Sequence, residues 1–89
     1  MNEEEVKKKL VGEVTHYFGK IDVAIVKMSD ELSVGDEILI QGRETNFTQT
    51  VESMQIEHED VKKVKAGDDI GLKVADKVRE KDLVYKVLE

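Results

Sequence analysis

The chain contains no cysteine, so neither a disulfide framework nor a thiolate-bound metal is open to it. Its apolar runs are only a few residues long, far short of the ~20 that a membrane-spanning helix needs. The first residues, "MNEEEVKKKL", lack the apolar core of a secretion signal, which makes a cytoplasmic location the expectation. A phosphate-binding loop ending in Gly-Lys-Ser/Thr is missing too. The nearest imitation is Gly67-Asp68-Asp69-Ile70-Gly71-Leu72-Lys73. It has the wrong spacing, places its lysine inside a strand and sets two carboxylates where phosphates would lie. GTP binding and hydrolysis are therefore not expected, and no nucleotide or other cofactor is implied.

What the chain does contain is charge. Eighty-nine residues make one domain, and a domain of this size buries roughly 60–65% of its unfolded surface. Charged residues account for 38% of the chain, against ~25% in ordinary proteins. The net charge of −6 is uneven, with zero over residues 1–10, −8 over 11–60 and +2 over 61–89. An acidic body argues against strong non-specific nucleic-acid binding, which relies on phosphate neutralisation. Local basic spots remain able to touch RNA inside a larger assembly.

Apolar residues recur with period two, the mark of half-buried strands. The expected strands lie at about 11–16, 20–28, 36–42, 47–57, 68–74 and 83–88, separated by turn signals at Tyr17–Lys20, Ser33–Asp36, Gly42–Asn46 and Ala66–Asp68. In "FTQTVESMQIE" the spacing slips between Val51 and Met54, which predicts a β-bulge. This pattern predicts an all-β fold, a small six-stranded antiparallel β-barrel. Its expected core is Ile21, Val23, Ile25, Ile38, Ile40, Val51, Met54, Ile56, Ile70, Leu72 and Val74. Residues 1–9 are expected to form a flexible or partly helical tail, with Glu3–Glu5 facing Lys7–Lys9 at i,i+4. The barrel domain then covers 10–89, and 75–82 has room for one helical turn.

Set in this order, the motifs resemble known families. "VGEVTHYFGKIDVAIVKMSDELSVGDEILIQG" is similar to the second, β-barrel domain of translational GTPases, where two strands and a "VGDE" turn lead into a third. "VESMQIEHEDVKKVKAGDDIGLKVADKVREKDLV" is similar to the matching part of archaeal and eukaryotic elongation factors. The residues that carry it are Val51, Ser53, His58-Glu59, Ala66-Gly67-Asp68, Gly71 and the "VREKD" turn. The chain also resembles the C-terminal barrel of collagenase-like peptidases, through "VGEV" near its start and Phe47-Thr48, Thr50-Val51-Glu52 and Met54 later. As a whole it resembles stand-alone translation elongation factor-like proteins. The first resemblance implies a binding module that contacts RNA, a ribosome or a translation factor. The alternative is an accessory protein-binding barrel for a peptidase-like or RNA-modifying enzyme.

The residues themselves point away from catalysis. Gly35-Asp36 and Gly67-Asp68 suit tight turns, with glycine at positive φ and aspartate bonding nearby backbone N–H groups. His58 lies among Glu57, Glu59 and Asp60, but the second histidine, His16, is expected at the other end of the barrel. A metal site is therefore not expected. No serine or threonine has an evident histidine–carboxylate pair, and the chain reads as non-catalytic. Alternate connections of an up-and-down barrel share one end, which gathers His16, Tyr17, Phe18, Arg43, Phe47, Lys77, Arg79 and Lys81. Aromatic rings beside guanidinium groups suit stacking on bases and protein hot spots alike, so this end is the expected partner-binding site.

Overall fold

The computed structural model describes residues 7–88. The expected Glu3–Glu5 pairing with the lysines therefore falls largely outside the described residues. Among them the chain forms ten strands: β1 (Lys8–Phe18), β2 (Val23–Met28), β3 (Leu32–Ser33), β4 (Glu37–Gln41), β5 (Asn46–Thr50), β6 (Met54–Ile56), β7 (Glu59–Val61), β8 (Lys63–Val64), β9 (Asp69–Lys73) and β10 (Leu83–Val87). No helix forms among the described residues, and 75–82 is a bend followed by a turn rather than a helical turn. An eight-stranded sheet runs β5-β4-β10-β1-β2-β9-β6-β7, and β3 pairs with β8 in a small second sheet. All of the ladders are antiparallel.

The fold is thus all-β, as expected, but the six strands become ten. Strands longer than four residues fall where the periodicity puts them. The additions β3, β7 and β8 are two or three residues long and leave no periodic trace. The predicted 47–57 strand is divided: β5 pairs with β4, the chain turns through Val51–Ser53, and β6 pairs with β9. One stretch of chain, 46–56, thus engages both sides of the sheet. The Gln49 side chain adds to this link, donating to Lys73 O (2.9 Å) and accepting from Ala75 N–H (2.6 Å). The ladder irregularities lie in β1 instead, between Leu10 and Gly12 against β10 and between Val14 and His16 against β2. Bulges in a long strand increase its twist, which lets the sheet curl around its core.

That core comprises Val11, Val14, Ala24, Val26, Met28, Leu32, Ile38, Ile40, Val51, Met54, Val64, Ile70, Leu72, Val74, Val78 and Val84. Each of its valine, leucine, isoleucine and methionine side chains, fully buried, contributes roughly 1.5–3 kcal/mol of transfer free energy. Ile38, Ile40, Val51, Met54, Ile70, Leu72 and Val74 sit where the sequence predicts. Four residues of the predicted core do not. Val23 and Ile25 are half-buried, and Ile21 is 59% exposed. In β2 the inward face is Ala24, Val26 and Met28. A single-residue shift in parity exchanges the two faces of a strand, and here both faces are apolar. Ile56 is also half-buried, packed against the core from its margin.

Three turns share one construction. Ser33–Asp36, Lys65–Asp68 and Arg79–Asp82 each close with an aspartate N–H donating to the carbonyl three residues back (3.0, 3.1 and 3.1 Å). The aspartate carboxylate then accepts from that same residue's N–H (2.9, 3.0 and 2.8 Å). The third position has positive φ, as a type II turn requires: 99° at Gly35, 94° at Gly67 and 78° at Lys81. Each turn launches a long strand, β4, β9 and β10 respectively. The expected turn role of the Gly-Asp pairs is therefore what the structure shows, with a third copy in which lysine takes the glycine position.

Candidate functional site

The antiparallel order carries the C-terminal ends of β1, β4 and β9 and the N-terminal ends of β2, β5 and β10 to one end of the sheet. Its connections are 19–22, 42–45 and 74–82. The sheet order contains crossovers, so the up-and-down path assumed from sequence is not the path taken. The three connections still meet. Among them Arg79 Nη2 lies 2.7 Å from Glu44 Oε1, and His16 Nδ1 lies 3.4 Å from Glu80 Oε2. A polar cleft of about 370 Å³ is lined by Glu44, Thr45, Asn46, Phe47, Asp76, Lys77 and Arg79.

The frame of this end is buried Asp82. Its carboxylate holds the Arg79 turn, its carbonyl accepts from Val14 N–H (2.8 Å), and Lys81 N–H donates to Val14 O (2.7 Å). Gly42 packs directly on that carboxylate, where any Cβ would collide with it. Of the predicted partner-binding residues, Arg43, Lys77, Arg79 and Lys81 are exposed here. Phe47 and Tyr17 instead turn inward and pack against the core. The exposed Arg79–Glu44 ion pair contributes little to stability.

Phe18 belongs to a different surface, and His16, which reaches Glu80 at the polar end, stands at the border between the two. On β1 they share the outer face with Val23 and Ile25 of β2, to which they are paired in register. The His16 and Phe18 rings meet edge-on at 4.5 Å. Beside them runs an apolar groove of about 350 Å³, lined by Phe18, Ile21, Val23, Ile25, Ile70 and Gly71 with Gln55, Glu57, His58 and Asp69 at its rim. Phe18 is 44% exposed and Ile21 59%. Glycine at 71 leaves the floor open between Val23 and Gln55. His58 lines this groove and His16 flanks it, so the two histidines share one face of the sheet. No group of three or more metal-ligating side chains converges among the described residues.

Periodicity alone conceals the groove, because it places Ile21, Val23 and Ile25 in the core. The signal was present in "VAIV", which is apolar in both parities. A strand with two apolar faces either lies between two layers or shows one face to the outside.

No protein-family model matches the chain. The chain is 38% identical over 89 residues to an uncharacterized protease of Methanocaldococcus jannaschii, matching 99% of this chain and 22% of that protein. It is likewise 38% identical over 82 residues to a collagenase of Porphyromonas gingivalis, matching 90% of this chain and 23% of that protein. The chain therefore spans under a quarter of the length of these curated relatives. Its fold matches the crystal structure of the C-terminal domain of a Geobacillus thermoleovorans protein described as a candidate U32 peptidase. The TM-score is 0.82 at 23% identity, covering 88% of this chain and 91% of that one. The selenomethionine form of that domain gives a TM-score of 0.81. The chain is thus homologous to a portion of collagenase-like proteases and has the fold of a peptidase C-terminal domain. The resemblance to translation factors finds no support among these relatives.

Proposed function

We infer that the chain is a non-catalytic accessory β-domain that docks on a peptidase-like enzyme of the collagenase type. One observation carries this reading: 99% of the chain aligns with 22% of a protein named as a protease, leaving most of that relative's length outside the match. A small domain with its own buried core is the kind of unit that attaches to a larger catalytic body and supplies a surface. The barrel interpretation of the fold goes with this proposal, since 46–56 engages β4 at its start and β9 at its end. A cytoplasmic location fits such a role, and no helix among the described residues is long and apolar enough to cross a membrane.

The test is co-purification of the tagged chain from native lysate, with and without RNase, followed by identification of what is retained. A collagenase-like or related enzyme, retained after RNase, supports the reading. Retention of ribosomal components or a translation factor, lost after RNase, would replace it with the translation reading. That second reading has one structural support, the exposed Arg43, Lys77, Arg79 and Lys81 gathered at one end.

A further inference from the structure

We propose that the outer groove between β1, β2, β9 and β6 is a protein-docking site for a segment carrying apolar anchor residues flanked by lysine or arginine. The proposal rests on the accessory-domain reading and adds the face that is used and the chemistry it takes. Three features of the groove carry it.

The first is apolar exposure. Of the five large apolar side chains exposed among the described residues, Phe18 and Ile21 sit together here, continuous with half-buried Val23 and Ile25. Burying such a patch is favourable at roughly 25 cal/mol per Å². The second is charge. Glu57 and Asp69 stand at the rim; neither has an ion-pair partner within 4.0 Å among the described residues, Lys27 being the cross-strand neighbour of Asp69 and Glu57 having none. At the polar end the excess is of the opposite sign: Arg79 faces Glu44, and Arg43, Lys77 and Lys81 are exposed. A cationic flank on the incoming segment would complete the pairing that the groove lacks.

The third is backbone conformation. Glu57 and His58 form the two-residue turn between β6 and β7, with φ of 52° and 69°. Two successive positive φ values define a type I′ hairpin turn, where asparagine and glycine are favoured. Glutamate and histidine there hold the hairpin at a conformational cost, and both side chains line the groove. The rim keeps side chains that the turn alone would not select.

The experiment titrates the isotope-labelled full chain with short synthetic peptides and follows the backbone amide resonances. One peptide has an apolar centre with lysine flanks, a second has the same centre with glutamate flanks, and a third has lysine flanks around a polar centre. The lysine-flanked apolar peptide is expected to shift resonances of Phe18, Ile21, Val23, Ile25, Gln55–His58 and Asp69–Gly71. The other two are expected to bind at least about tenfold more weakly. The double variant Glu57→Lys/Asp69→Lys should reverse the flank preference, and Ile21→Asp should weaken both apolar peptides. Equal binding of all three peptides, shifts confined to 42–47 and 75–82, or no shift at millimolar peptide would each overturn the proposal. So would concentration-dependent broadening of the groove without peptide, which would show a second copy as the occupant. These outcomes do not depend on which enzyme the chain accompanies. A failed lysate capture with a positive titration therefore sinks the peptidase assignment alone.

Discussion

The polar end and the apolar groove lie side by side on one small domain and are built in opposite ways. At the end, the framework bonds to itself: Arg79 pairs with Glu44 and Asp82 bonds the turn that carries Arg79, while Arg43, Lys77 and Lys81 point outward without an ion-pair partner among the described residues. Phe47 and Tyr17 there face the core. In the groove, two large apolar side chains are exposed, two carboxylates have no ion-pair partner among the described residues, and a two-residue turn holds an unfavourable conformation. The contrast teaches that a concentration of charged and aromatic residue types is not in itself an unmet binding capacity. What matters is which of them the fold has already used.

The largest effect should come from the core on which both regions rest. Ile40→Ala, at a position with 0% exposure, should lower the unfolding free energy by about 2–5 kcal/mol in denaturant titration. A loss under ~0.5 kcal/mol would place Ile40 outside the core. Next is the frame of the polar end. Gly42→Ala forces a methyl group against the Asp82 carboxylate and should cost about 1–3 kcal/mol. An unchanged melting curve would mean that the end is pliable, and the contrast with the groove would weaken.

A smaller change, of opposite sign, tests the turn at that end. Lys81 has φ of 78° where the two sister turns have glycine. Lys81→Gly should therefore stabilise the domain by about 0.5–1 kcal/mol, the relief of a left-handed side chain less the extra freedom of glycine when unfolded. Gly35→Ala should do the reverse. Smaller still, Ile21→Ser should leave stability within about 0.5 kcal/mol of the parent, because Ile21 is 59% exposed. A clear loss of stability would mean that the groove is part of the core rather than a surface.

The smallest effect lies away from both regions and serves as a control. Asp30 accepts a hydrogen bond from Lys9 and another from the Glu31 N–H, which together hold its carboxyl below the usual carboxylate range. A depressed folded-state pKa stabilises the fold above the unfolded value, and that contribution is lost as pH falls through the folded value. Asp30→Asn should therefore slightly flatten the acid limb of the stability profile. A variant that steepened it would contradict the pairing.

How much of this was legible in the sequence depended on length and parity. β4, β9 and β10 announce themselves because alternation over five residues ahead of or behind a turn aspartate has few other readings. The Gly35-Asp36 and Gly67-Asp68 turns are equally plain, since both residue types have a physical reason to be there. The third turn shows only through the family resemblance of "VREKD", because Lys81 at the glycine position lets the local pattern of Ala75–Asp82 suit a helical turn equally well. The groove is hidden for a subtler reason. Period two says that Val23 and Ile25 share a face, and it says the same of Ala24 and Val26. Only the register of β1 against β2, shifted between Val14 and His16, decides which face turns inward. That shift depends on long-range pairing and is not written in the local pattern.

The most direct test takes the enzyme retained by the chain and measures its affinity for three proteins side by side. These are the parent chain, the groove variant Ile21→Asp, and the end variant Arg43→Glu/Arg79→Glu. The account predicts that the groove variant loses binding by about tenfold or more while the end variant stays close to the parent. The reverse ranking, with binding intact in Ile21→Asp and abolished in the double arginine variant, would contradict it.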